Sequence, residues 1–142
     1  MASLSEAEAY TADSVAILGY LAGALPSEVD RIFARAEDDK ASLIIPTIAL
    51  GETLFTLLKG RKIFGHAVPL EKMSLFLDTL ESTRAMVLLD LDIKGWKLVM
   101  RTDLPELHDR MVVATHLRAN SKAILTDDEE IASMPNVQTI WN

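Results

Sequence analysis

Short runs of uninterrupted apolar character alternate along this chain with longer stretches whose apolar residues recur at helical spacing. Leu43–Pro46 (LIIP), Met86–Leu89 (MVLL), Ala123–Thr126 (AILT) and Val137–Ile140 (VQTI) read as strands, and Tyr10–Ala12 as a further, weaker one. Between them, Val15 to Leu21 predicts a helix stopped near Gly23 and Pro26, and Ser27 stands as the N-cap of a second helix through Val29, Ile32 and Phe33. Thr47 is placed to cap a third helix whose stripe of Leu50, Leu54, Leu57 and Leu58 ends at Gly60. Leu70 to Leu80 is amphipathic, and a further helix carries Trp96, Leu98 and Val99. Asp103, Pro105 and Glu106 form a start of the capping-box kind for a helix over Leu107–Ala119. Strands that are apolar on both faces, separated by helices, predict a parallel sheet covered on both sides: an α/β fold of three layers, α/β/α. Ligands of such sheets bind beyond the C-terminal ends of the strands.

Composition narrows the class. With 142 residues and nearly half of them apolar, the chain suits one domain with a real core, taken to span residues 10–142 behind an N-terminal extension of residues 1–9. There is no cysteine, which excludes disulfides and thiolate metal sites. Neither a membrane-length apolar run nor a basic leader opens the sequence, so a cytoplasmic protein without a membrane span is expected. Fourteen Lys+Arg against 21 Asp+Glu give a net charge of −7, which argues against broad, charge-driven nucleic-acid binding. Four carboxylates gathered on a hard cation would account for over half of that imbalance.

The acids fall at telling places. Asp13 follows the first strand, Asp127 and Asp128 follow AILT, Glu52 lies early in the helix after LIIP, and Asp109 sits early in an apolar helix. A carboxylate in apolar surroundings is costly unless paired or metal-bound. Each has a plainer reading: Asp13 as a helix cap, Glu52 as a solvated residue, Asp109 as a first-turn charge. The stretch Thr126-Asp127-Asp128-Glu129 matches a capping box outright, with Thr126 as the cap and Glu129 reaching back. Their common placement at one sheet edge is what the plainer readings leave unexplained.

These residues carry a resemblance. DSVAILGYL from Asp13 to Leu21 looks like the opening motif of PIN-domain ribonucleases, and PTIALGETLF from Pro46 to Phe55, continuing to Lys59-Gly60-Arg61, resembles their second. LHDRMVVAT from Leu107 to Thr115 closely resembles the third, and ILTDD from Ile124 to Asp128 the strand-terminal fourth. The four stand in order across essentially the whole chain. The resemblance implies a PIN-like fold and Mg²⁺- or Mn²⁺-dependent endoribonuclease activity, most like the VapC-type toxins of toxin–antitoxin pairs. Such toxins commonly form homodimers and are held by a cognate antitoxin. By position it implies a site of Asp13, Glu52, Asp109 and Asp128, with Asp127 as a rival for the fourth acid.

On that reading Asp13 and Asp109 are the principal ligands, Glu52 orients or deprotonates water, and Asp128 serves an outer shell or a second ion. Ser14, Thr126 and Glu106 stand beside these acids as supporting residues, although Ser and Thr at such turns are more often caps. Arg61 and Arg110 are the candidates for RNA phosphates. The histidines His66, His108 and His116 show no ligand spacing, so a transition-metal site is not expected. The helix faces around Leu18, Tyr20 and Leu21, and around Phe55, Leu57 and Leu58, are apolar enough to take a partner, although core packing accounts for most of that. The competing readings are a PIN domain serving as a non-toxin RNA-processing nuclease, a non-catalytic binding module, and, last, a receiver-like phosphoryl-transfer domain.

Overall fold

The computed structural model of the protein describes residues 8–142, so most of the expected N-terminal extension lies outside the described residues. Five strands form one sheet: β1 (Ala9–Ala12), β2 (Ser42–Pro46), β3 (Met86–Leu89), β4 (Ala123–Leu125) and β5 (Thr139–Ile140). Every pairing is parallel and the order is β3-β2-β1-β4-β5. The helices are α1 (Ser14–Ala22), α2 (Ser27–Glu37), α3 (Thr47–Leu58), α4 (Glu71–Ser82), α5 (Ile93–Arg101), α6 (Leu107–Ala119) and α7 (Glu129–Ala132).

Alternation along the central strands divides the interior in two. Tyr10 and Ala12 of β1, Leu43 and Ile45 of β2, and Ala123 and Leu125 of β4 share one core with Ile17, Phe33 and Phe76 from the helices. Ile124 points the other way, into a second core with Val112, Val113 and Ile131. The three-layer α/β/α arrangement expected from the sequence is therefore present. The strand order moves outward from β1 in both directions, to β2 and β3 on one side and β4 and β5 on the other. That reversal places a topological switch point between β1 and β4, where open parallel sheets form their binding crevice.

Local chemistry departs from the sequence expectations at three helix starts. Ser27 does not cap α2: Pro26 holds that position without a side-chain bond, and the Glu28 and Val29 N–H groups donate to the Asn142 carbonyl at 2.7 and 3.2 Å. Thr47 is the first residue of α3 rather than its cap, and its hydroxyl donates to the Leu89 carbonyl and the Asp90 carboxylate at the end of β3. At α6, Glu106 is the N-cap by position but caps nothing through its side chain, so the Asp103–Glu106 capping box does not form.

The apolar stripe of α3 also faces otherwise than its periodicity suggests. The helix buries Ala49, Thr53 and Leu57, a small-residue face spaced four apart, while Leu54, Phe55 and Leu58 are exposed. Thr53 tolerates burial because its hydroxyl donates to the Ala49 carbonyl at 2.8 Å.

Candidate active site

Asp13 ends β1 and is the N-cap of α1. Its Oδ1 accepts from the Ser14 N–H at 2.8 Å, and its Oδ2 accepts from the Thr126 hydroxyl at 2.7 Å. The side chain is buried at the switch point, and burial, followed by the charges of Asp128 and Asp127, raises its pKa against the effect of those two hydrogen bonds.

Thr126 continues β4 and is almost fully buried. Its Oγ1 also accepts from the Asp128 N–H at 3.1 Å, so one hydroxyl links the two acids. The capping box read at this turn is displaced by two residues: Asp128, not Thr126, caps α7, its Oδ1 accepting from Glu130 N at 2.8 Å and Ile131 N at 3.0 Å. Asp127 is exposed, and Glu129 and Glu130 form the acidic first turn of α7.

Asp109 lies in the first turn of α6, which starts at the same edge of the sheet. Among the described residues no hydrogen bond to its side chain offsets its partial burial. Desolvation, then Asp128, Asp13, Glu106 and Glu52, push its carboxyl up to about 7. Glu106 contributes to this field from an exposed position.

Glu52 stands in the second turn of α3. Its Oε2 pairs with His108 Nδ1 at 2.6 Å, a contact that fastens α3 to the start of α6. Desolvation raises its pKa, His108 opposes that shift, and Asp13 adds to it; the side chain of Ser14 also favours its charged form. No pattern in the sequence points to the His108 contact, because its partner lies in a different element with no spacing relation to it.

The four acids Asp13, Glu52, Asp109 and Asp128 therefore share one edge and one electrostatic field. Among the described residues, however, no three His, Asp or Glu side chains gather closely enough to hold an ion in the conformations they adopt. Asp128 is turned to its cap and Glu52 to His108. The donor set still suits a hard divalent cation: it offers only oxygens, and the burial and, after it, mutual repulsion that raise three of its carboxyls are both offset by a positive charge among them.

An open cleft of about 480 Å³ is lined by Ser14, Ile48, Gly51, Glu52, Arg61 and His108. Arg61 thus borders the site. Arg110 does not serve it: its guanidinium donates to the Leu104 and Val99 carbonyls, tying α6 to the end of α5. Its guanidinium is thus engaged by a carbonyl of the α5–α6 loop and one at the end of α5 instead of the phosphate the sequence suggested.

No protein-family model matches the chain, and no curated protein matches it in sequence. Solved structures do resemble it. The crystal structure of VapBC2 from Rickettsia felis bound to a DNA fragment from their promoter matches with a TM-score of 0.69 at 14% identity, covering 94% of this chain and 99% of the other. Mycobacterium tuberculosis VapC20, a sarcin–ricin-loop-cleaving toxin, matches with a TM-score of 0.58 at 13% identity, covering 91% and 98%. The fold is thus that of a PIN domain. Within that class it is VapC-like over nearly the whole chain.

Proposed function

We propose that the protein is a Mg²⁺- or Mn²⁺-dependent endoribonuclease, the toxin of a toxin–antitoxin pair acting in the cytoplasm. The observation that carries this is the convergence of Asp13, Glu52, Asp109 and Asp128 at the switch point of a VapC-like sheet, with the Asp109 carboxyl raised to about 7 by desolvation and, after that, by its acidic neighbours. A non-catalytic module has no need to crowd acids at such cost.

When bound, a divalent ion at this site supplies Lewis-acid stabilisation of the charge that develops on phosphate during hydrolysis. Asp13 and Asp109 are the residues to hold it, with Asp128 beside them. Thr126 and the Ser14 N–H fix the Asp13 carboxylate. On this reading Glu52, which pairs with His108, orients the attacking water and takes its proton. Arg61, on the cleft wall, offers a guanidinium to an RNA phosphate.

The similarity to a VapBC structure supports an antitoxin as partner. Exposed Phe55, Leu58, Phe64, Leu75 and Leu77 supply apolar surface that an antitoxin segment or a second copy could cover. The direct test is cleavage of a structured RNA by wild type and Asp109→Asn, with Mg²⁺ or Mn²⁺ and with chelator. Metal-dependent cleavage by wild type, reduced by about 100-fold or more in the variant, is expected. Equal cleavage by both proteins, or none by wild type, would sink the proposal.

A further inference from the structure

A second cavity, of about 330 Å³, adjoins the cleft and shares Ile48 and Gly51 with it; Thr47, Asp90, Trp96, Met111 and Thr115 also line it. Its size lies at the lower end of small-molecule sites, about 300–1,000 Å³. The wall is mostly apolar, with the Trp96 indole as its one aromatic face.

Gly51 is the unusual member. It sits inside α3, where glycine costs about 1 kcal/mol relative to alanine. No packing demands it, since a Cβ built there meets nothing within 4 Å, and its backbone is not in the left-handed region. A side chain there would project into open space at the border that Gly51 shares between cleft and cavity.

The polar groups of the cavity are one-sided. The Thr47 hydroxyl spends its proton on the Leu89 carbonyl and Asp90, and the Thr115 hydroxyl on the Met111 carbonyl at 2.8 Å. The Asp90 carboxylate can only accept. An occupant must therefore bring N–H donors on one edge and a flat face for Trp96. Among RNA bases, guanine alone presents two adjacent N–H donors on its pairing edge, matching the two oxygens of a carboxylate; uracil presents a single N–H between two carbonyls, which a carboxylate repels.

We propose that this cavity is a guanine-binding subsite beside the cleft, with Trp96 as stacking face, Asp90 as acceptor and Gly51 as the low threshold the RNA strand crosses. The inference builds on the nuclease reading but addresses which base is read, not whether a bond is cut.

The test uses full-length protein carrying Trp141→Phe, which leaves Trp96 as the sole indole, and reads its fluorescence without metal. GMP, UMP and RNA hexamers of uridine with or without one guanosine are the probes. GMP and the guanosine-containing hexamer should quench Trp96 saturably and bind about tenfold or more tightly than the uridine probes. Asp90→Asn should erase that preference. Gly51→Leu should leave the protein as stable as before, or more so, while weakening the guanosine-containing hexamer more than the uridine one and so reducing the preference. Equal affinities for all probes, or a guanosine preference untouched by Asp90→Asn and Gly51→Leu, overturns the subsite. Wild-type cleavage of the two hexamers separates the questions: cutting both alike with no selective binding overturns the subsite and leaves the nuclease, whereas selective binding without cutting supports the subsite and removes the nuclease.

Discussion

The Thr126 hydroxyl donates to Asp13 Oδ2 at 2.7 Å across 113 residues of sequence and the gap between two neighbouring strand ends. Because the same oxygen accepts from the Asp128 N–H, it sets the position of one acid directly and of another through the backbone.

Thr126→Val keeps the shape and deletes both bonds. The expected cost is about 1–3 kcal/mol of stability, because the buried Asp13 oxygen loses its donor. Cleavage should fall by about 10–100-fold, as when other supporting groups of metal sites are removed. Thr126→Ser should recover most of both. Urea denaturation and a cleavage rate check this, and a Val variant matching wild type in each would refute the linkage.

Stability against pH reads the acid cluster. A carboxyl raised from its ordinary value to about 7 holds its proton more tightly when folded. Metal-free protein therefore gains from Asp109 at low pH and loses that contribution as pH rises from about 4 to about 7. Buried His116, its pKa lowered by desolvation, acts in the opposite sense and costs stability as pH falls below about 6.5. The comparison of wild type with Asp109→Asn isolates the first effect: the variant should be relatively more stable at pH 8 than at pH 5. Mg²⁺ or Mn²⁺ should raise the wild-type Tm more at pH 8 than at pH 5. Parallel Tm curves for the two proteins at every pH would contradict it.

His108 holds Glu52 and opposes the upward shift of its pKa. In His108→Ala, Glu52 should titrate higher, so the acidic limb of the cleavage pH profile should move to higher pH, with a lower plateau. An unmoved limb would leave His108 without influence on the proposed base.

The two arginines separate cleanly. Arg110→Ala should destabilise the fold by about 1–3 kcal/mol, since it removes the Arg110 donor from the buried Leu104 carbonyl and one of two donors from that of Val99. Arg61→Ala, on an exposed cleft wall, should leave the Tm within about 1 °C but weaken RNA binding and flatten its salt dependence. A salt-titrated binding assay beside thermal melts distinguishes them.

Much of the architecture was legible because parallel strands leave an apolar signature that solvated loops do not share. β2 and β4 follow from that pattern and the span of α6 from helical spacing, while β3 keeps the signature at the sheet edge although its Val87 and Leu88 are exposed. Asp13 and Asp128 were legible by their place after strands, and Glu52 and Asp109 by their place early in apolar helices. Long-range side-chain partnerships were not: Thr126 with Asp13, His108 with Glu52, and Arg110 with two carbonyls join residues from different elements. The faces of α3 were misread because its buried face uses Ala49 and Thr53, residues too small or too polar to announce a core. The cavity beside the cleft left no signal either, since Asp90 and Trp96 stand in segments with no motif around them.

Asp128 holds up α7 through its Oδ1 while facing the acid cluster, and α7 in turn buries Ile131 in the second core. One carboxylate is thus both a charge and a keystone. Replacing it by alanine removes both at once, so lost cleavage in that variant would say nothing about chemistry. Asparagine caps a helix as well as aspartate does. Asp128→Asn is therefore the substitution that withdraws the charge and leaves the arch standing.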